Sequence, residues 1–223
     1  MNNKLNNLIK AQEKAKELFD LIVSKNLIRS GISEKQLTEK IFLLAKNNLS
    51  IDKFWHKKIV RTGINTIHPY DAKPENLMIQ QNDILWIDFG PIFNSFEADF
   101  GRTFVLGNDS EKTKLKDAVE KSWFETRDYY NSKDNVTGKE LFEFVDKLAK
   151  NYNFFFGNDI AGHLVDEFSH YKIHKSTPEN YICLENNTNL KDKFEKKERY
   201  RILEMHFLSN EKNFGSFFEQ LLI

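Results

Sequence analysis

Acidic residues set inside apolar, strand-like runs are the first sign of chemistry in this chain. Asp88 lies in the run 84–89, where alternation puts Ile84 and Trp86 on its side and Leu85, Ile87 and Phe89 on the other. A carboxylate between two apolar faces is buried, and leaving it ionised and unpaired is costly, so it needs a cation or an unusual proton. Asp99 follows Phe93-Asn94-Ser95, and a fold-back at Phe93-Asn94 sets the two aspartates opposite each other on paired strands. The C-terminal part repeats the device. Glu204 shares a strand face with Ile202, His206 and Leu208, Glu219 is embedded in the apolar end of the chain, and a turn near Glu211-Lys212 makes the two glutamates direct partners. His163, in the apolar run 160–165, adds an imidazole. Four carboxylates and one imidazole form an oxygen-rich site suited to two divalent first-row ions such as Mn, Fe or Co. Ions bridged by shared carboxylates lower the pKa of a bound water and clamp a carbonyl oxygen, which is hydrolytic chemistry. Each residue also has a plain reading: ion-paired hairpins with Arg102 against Asp99, and His163 as a satisfied core histidine.

Helices and strands must position these groups. Leu5, Leu8, Ile9, Ala15, Leu18, Phe19 and Ile22 recur at helical spacing, interrupted by Gln12, and predict an opening helix of about six turns. Ser33 with Gln36 three residues on has capping-box spacing and opens a second helix over about 34–48. A third helix follows Asp109 or Ser110, and a fourth follows Thr137 with Glu140 at the same spacing. Strand-like runs lie at 84–89, 102–106, 201–208 and 217–223. The class is α+β or mixed α/β, and the order helices, strands, helices, strands suggests two similar halves. The polar stretch 185–199 reads as a solvated connection.

Composition narrows the partners. Lys plus Arg and Asp plus Glu are equal at 33 each, so no basic field is available to hold a polyanion and nucleic acid is not expected as a partner. No run has the length of a membrane span, the opening lacks a signal-peptide core, and the lone Cys183 cannot form an internal disulfide; a cytoplasmic location and no membrane partner are expected. Gly-rich phosphate loops, CxxC pairs and solenoid repeats are missing from the sequence.

At this point the residues resemble the pita-bread metallopeptidases: methionine aminopeptidase, Xaa-Pro aminopeptidase and prolidase, with the metal-free relative creatinase. Asp88-Phe89-Gly90-Pro91 through Ala98-Asp99-Phe100-Gly101-Arg102-Thr103-Phe104 resembles the family's paired-aspartate hairpin, Gly162-His163 its histidine motif, and Ile202-Leu203-Glu204 and Phe218-Glu219 its glutamate strands. The resemblance covers roughly 55–223 and implies a pita-bread fold, with pseudo-symmetric halves and a curved antiparallel sheet covered by helices. It implies one catalytic domain over 1–223, with 1–50 as a helical opening. It also implies a set of five metal ligands, Asp88, Asp99, His163, Glu204 and Glu219, holding two ions. His68 resembles the family histidine that faces the substrate amide, and His170 the one that steadies the tetrahedral intermediate. By the family mechanism a bridging hydroxide attacks the scissile carbonyl and Glu204 relays its proton. His56 and His174 match no family position; His206 shares the face of Glu204 and is a candidate to support it from behind.

The implied activity is that of an aminopeptidase or dipeptidase acting on a short peptide or small amide. Two alternatives are an inactive domain that binds a peptide or protein, and a metal-free hydrolase of the creatinase kind. Departures sit beside the pocket. Leu164 stands where methionine aminopeptidases have Gly, and Glu204 leads into Met205-His206 in place of Glu-Pro. These argue against a housekeeping methionine aminopeptidase and leave the substrate open. With about 55 residues ahead of the resemblance, a compact member without the extra N-terminal domain of prolidase is expected. The oligomeric state stays open, a homodimer included.

Overall fold

The computed structural model describes residues 3–167 and 177–223. The chain opens with helices α1 (Asn3–Ser24) and α2 (Glu34–Leu49), continues through β1 (Ile59–Thr62), β2 (Ile84–Phe89), β3 (Ile92–Phe93), β4 (Phe96–Glu97) and β5 (Phe100–Val105), and then repeats the plan. Helices α3 (Ser110–Ser132) and α4 (Gly138–Asn151) precede β6 (Phe155–Phe156), β7 (Gly162–Val165), β8 (Tyr200–Leu208) and β9 (Gly215–Leu221).

Local chemistry accounts for the helix starts. The Ser33 hydroxyl accepts from the Gln36 amide while the Gln36 side chain accepts from the Ser33 amide, and Thr137 with Glu140 forms the same reciprocal pair. Asp109 caps α3 by accepting from the amides of Glu111 and Lys112. Gln12, the polar break in the α1 stripe, turns out to hold the helix onto the sheet, because its Oε1 accepts from the Leu221 amide at 2.6 Å.

Six strands run in the order β1-β2-β5-β9-β8-β6, with β7 also paired to β8, and every pairing is antiparallel. Each helix pair covers its own stretch of this sheet. Leu18, Ile22, Leu37 and Ile41 of α1 and α2 pack with Leu85, Ile87 and Phe89 of β2. Val119, Trp123, Leu141 and Val145 of α3 and α4 pack with Leu203, Met205 and Phe207 of β8 and Phe218 of β9. These are the strand positions of one parity; the other parity carries Asp88, Glu204 and Glu219, so the helices seal one face of the sheet and leave the acidic face to line a cavity.

Strands β5 and β9 meet through the single pair Gly101↔Glu219. Arg102 reinforces that seam. Its guanidinium lies between the Phe100 and Phe218 rings, 3.7 and 3.8 Å from their centroids, and donates to the Glu219 carbonyl at 2.8 Å. It therefore serves the helix-covered face and is not the partner of Asp99. The stretch 185–199 contains no strand or helix, as expected of a connection, yet Asn186 and Leu190 are buried within it and pin it down. Cys183 is buried and free.

Candidate metal centre

Backbone pairing alone assembles most of the cluster. Asp88 pairs with Gly101, Gly101 with Glu219, and Glu219 with Glu204, so the four positions form one row across β2, β5, β9 and β8. Gly101 contributes no side chain to that row, and the Phe217 ring lies where its Cβ would stand. Asp99, two residues before Gly101, falls on the same face. His163 is paired with Ile202, two residues from Glu204, and joins the face from the other end.

The expected direct opposition of Asp88 and Asp99 is corrected by this register. Asn94 and Ser95, both with positive φ (48° and 72°), form the turn of the β3–β4 hairpin, and the fold-back lies one residue later than expected. Pairing shifts by two residues, which keeps each side chain on its face. The aspartates still converge, as diagonal neighbours. The opposition of Glu204 and Glu219 occurs as expected.

Two groups of donor atoms result. One atom each from His56, Asp88 and Asp99 lie within 4.8 Å of one another, and so do one each from Asp99, His163 and Glu219. Asp99 belongs to both. Its Oδ1 is 3.1 Å from His56 Nε2 and its Oδ2 is 3.1 Å from His163 Nε2. His56 Nε2 also lies 3.4 Å from Asp88 Oδ1.

Electrostatics in this cluster is unbalanced without a cation. Burial, resisted by His56 and reinforced by Asp99 and Glu204, raises the Asp88 carboxyl to about 8. Glu219 is pushed well above the carboxylate range, by burial and then by the charges of Asp99, Asp88 and Glu204. Glu204, at the cavity wall, is raised by burial and by the charge of Asp99, against the opposing pull of His163. Burial works against ionising Asp99 too, but the two imidazoles outweigh it and hold its pKa down. Burial lowers the basicity of His56 and His163, and their carboxylate neighbours overcome it to raise both to about 9.

The residues present suit divalent cations. Asp88 Oδ1 and Glu219 Oε2 are buried and accept no hydrogen bond, a costly arrangement for carboxylates unless a positive ion is their partner. Oxygen-rich donors with imidazole are those that Mn, Fe and Co accept.

Above the cluster is a cavity of about 370 Å³ lined by aromatic and imidazole rings, among them Trp55, His68, Tyr70, Trp86, His206 and Phe217. His68 is thus part of the cavity wall. His206, on the face of Glu204, is tied away from it: its Nε2–H donates to the Thr66 carbonyl at 2.7 Å and Nδ1 faces the Asn158 amide at 3.3 Å. Burial lowers its pKa to about 4, so it lines the cavity as a neutral ring. His170 and His174 lie outside the described residues. His56 had no assigned role, yet its ring sits between both aspartates. Nothing periodic marks it in the sequence, because a loop held to the sheet by Trp55 N–H donating to Gly90 O delivers it there.

The sequence model of metallopeptidase family M24 matches residues 6–219. An Xaa-Pro dipeptidase of Pyrococcus horikoshii is 29% identical over 154 residues, 64% of this chain and 39% of its own. Among solved structures, a prolidase of Thermococcus sibiricus superposes with a TM-score of 0.78 at 21% identity, covering 98% of this chain and 55% of that one. A methionine aminopeptidase of Rickettsia prowazekii superposes with a TM-score of 0.73 at 14% identity, covering 99% and 93%. The chain spans little more than half of the prolidase, less than half of the dipeptidase, and nearly all of the methionine aminopeptidase. These neighbours share the pita-bread fold expected from the paired-aspartate hairpin. No described helix is long and apolar enough to cross a membrane.

Proposed function

Since the chain belongs to metallopeptidase family M24, we propose that it is a two-metal-dependent aminopeptidase or dipeptidase that takes a short peptide by its free amino end. The observation that carries this reading is the single row Asp88–Gly101–Glu219–Glu204, joined by Asp99 and His163, at the base of an aromatic-lined cavity. Asp88, Asp99, His163, Glu204 and Glu219 would hold two divalent ions, of Mn, Fe or Co type. When bound, such ions supply a Lewis acid for the scissile carbonyl and make water nucleophilic near neutral pH.

The chain's own residues supply the rest. Glu204 has a carboxyl whose pKa is raised by burial and by the charge of Asp99, which favours its taking up and returning a proton. Asp88, beside the cavity, would pair with the substrate's amino group. Rings of Trp55, Tyr70, Trp86 and Phe217 exclude water and offer an apolar surface to the first side chains of a peptide. His68 lines the same cavity and would donate toward the substrate amide; His170 would steady the tetrahedral intermediate.

After equilibration with Mn or Co, wild type is expected to hold two ions per chain and Asp99→Ala to lose them. Short peptides with a free amine should be cleaved after the first residue by wild type and not by Glu204→Gln. A wild type that takes up no metal, or a Glu204→Gln variant that hydrolyses at full rate, would refute the reading.

A further inference from the structure

We infer that His56 is a sixth metal ligand, giving the ion beside Asp88 an imidazole of its own, as His163 does for its neighbour. The inference deepens the two-metal reading and rests on it.

Its first support is tautomer geometry. His56 Nδ1 lies 2.6 Å from the Lys57 carbonyl, which can only accept, so Nδ1 keeps its proton, and Nε2, turned to the aspartates, is the nitrogen that a cation would claim by displacing the other proton. A ligating histidine commonly has its other nitrogen donating to a backbone carbonyl or carboxylate, which fixes the ring and raises its basicity. His163 is built in the same way, with Nδ1 donating to the Leu164 carbonyl at 2.9 Å and Nε2 turned to Asp99. Both histidines thus bond to the carbonyl of the next residue.

The second support is placement. The two Nε2 atoms address different oxygens of Asp99, each at 3.1 Å, so Asp99 has one imidazole on each side. Asp88 Oδ1, buried and without a hydrogen bond, lies 3.4 Å from His56 Nε2 and completes a trio of converging donors. The His56 side chain is 2% exposed, and Gly90 is bare where a Cβ would stand 2.4 Å from Nε2. The backbone there leaves just the room the ring needs.

The test counts imidazoles on cobalt. Metal-free protein is titrated with Co(II), its ion content measured, and proton spectra recorded in H2O and D2O. Each Nδ1–H of a cobalt-bound histidine gives a strongly displaced, solvent-exchangeable signal. Wild type with two ions should give two such signals; His56→Gln and His163→Gln should each lose a different one, and His56→Gln should bind one ion about tenfold or more weakly. Wild type holding two ions but giving one signal, absent in His163→Gln, overturns the inference while sparing the two-metal reading. A wild type that binds no cobalt overturns both. If His56→Gln does not fold, the wild-type signal count decides.

Discussion

Alanine at Gly90 provides a demanding test of how the loop and sheet fit together. A Cβ there would stand 2.1 Å from His56 Cδ2 and 2.3 Å from Trp55 Nε1, where ordinary contacts need more than an ångström extra. Neither ring can recede freely. Trp55 Nε1–H donates to the Ala98 carbonyl at 3.0 Å and its ring stands edge-on to His56 at 4.3 Å between centroids, while His56 is anchored to Lys57 and Asp99. Overpacking of this kind costs roughly 1–3 kcal/mol, and loss of the indole bond adds about 1 kcal/mol. Separating buried His56 from its aspartates adds further cost. A total on the order of 4 kcal/mol lowers the melting temperature of a chain this size by roughly 10 °C. Thermal melts followed by circular dichroism, with chelator and with cobalt, measure it, and the cobalt-induced gain in melting temperature should shrink in Gly90→Ala. The cost should also be smaller in a His56→Ala background, since one of the two colliding rings is gone. A variant melting within about 2 °C of wild type with an unchanged cobalt response would show that the rings do not press on Gly90, and the sterics argued here would be wrong.

Two further substitutions probe the same sheet. Gly162 has φ of 147°, and its Cβ would meet the Ile202 carbonyl at 2.1 Å; Gly162→Ala should lose on the order of 3 kcal/mol in urea unfolding, and a wild-type midpoint would contradict the β7–β8 pairing. His206, lowered to about 4 by burial, is protonated in the unfolded chain before the folded one. Its contribution to stability is present above about pH 6.5 and is lost as pH falls toward about 4, roughly 3 kcal/mol in all. The stability gap between wild type and His206→Phe should therefore narrow by about that amount on acidification, and a constant gap would exclude a buried neutral imidazole.

The parts of the fold that follow from neighbours in sequence were legible there, and the parts set by tertiary contact were not. Ser33 with Gln36 and Thr137 with Glu140 close their hydrogen bonds within one turn, so spacing alone reveals both helix starts. The alternating pattern in 84–89 and 201–208 places Asp88 and Glu204 on a face away from the helices, because Leu85, Ile87 and Phe89 and then Leu203, Met205 and Phe207 make the opposite parity apolar and must be covered. That same pattern is blind to the register of β2 on β5. Moving the turn from Phe93-Asn94 to Asn94-Ser95 slides the partner strand by two residues and leaves every side chain on its original face, so hydrophobic alternation cannot choose between the two turns. The choice matters chemically. With Asp99 opposite Asp88, one position of the row would carry two carboxylates in direct contact; with Gly101 there, the Phe217 ring covers the position and Asp99 approaches diagonally. His56 is invisible to periodicity for the same reason. Its place is made by residues remote in sequence, chiefly the bare backbone at Gly90 and the carbonyl that receives Trp55 N–H, so a second imidazole beside Asp99 becomes readable only once the sheet register is known.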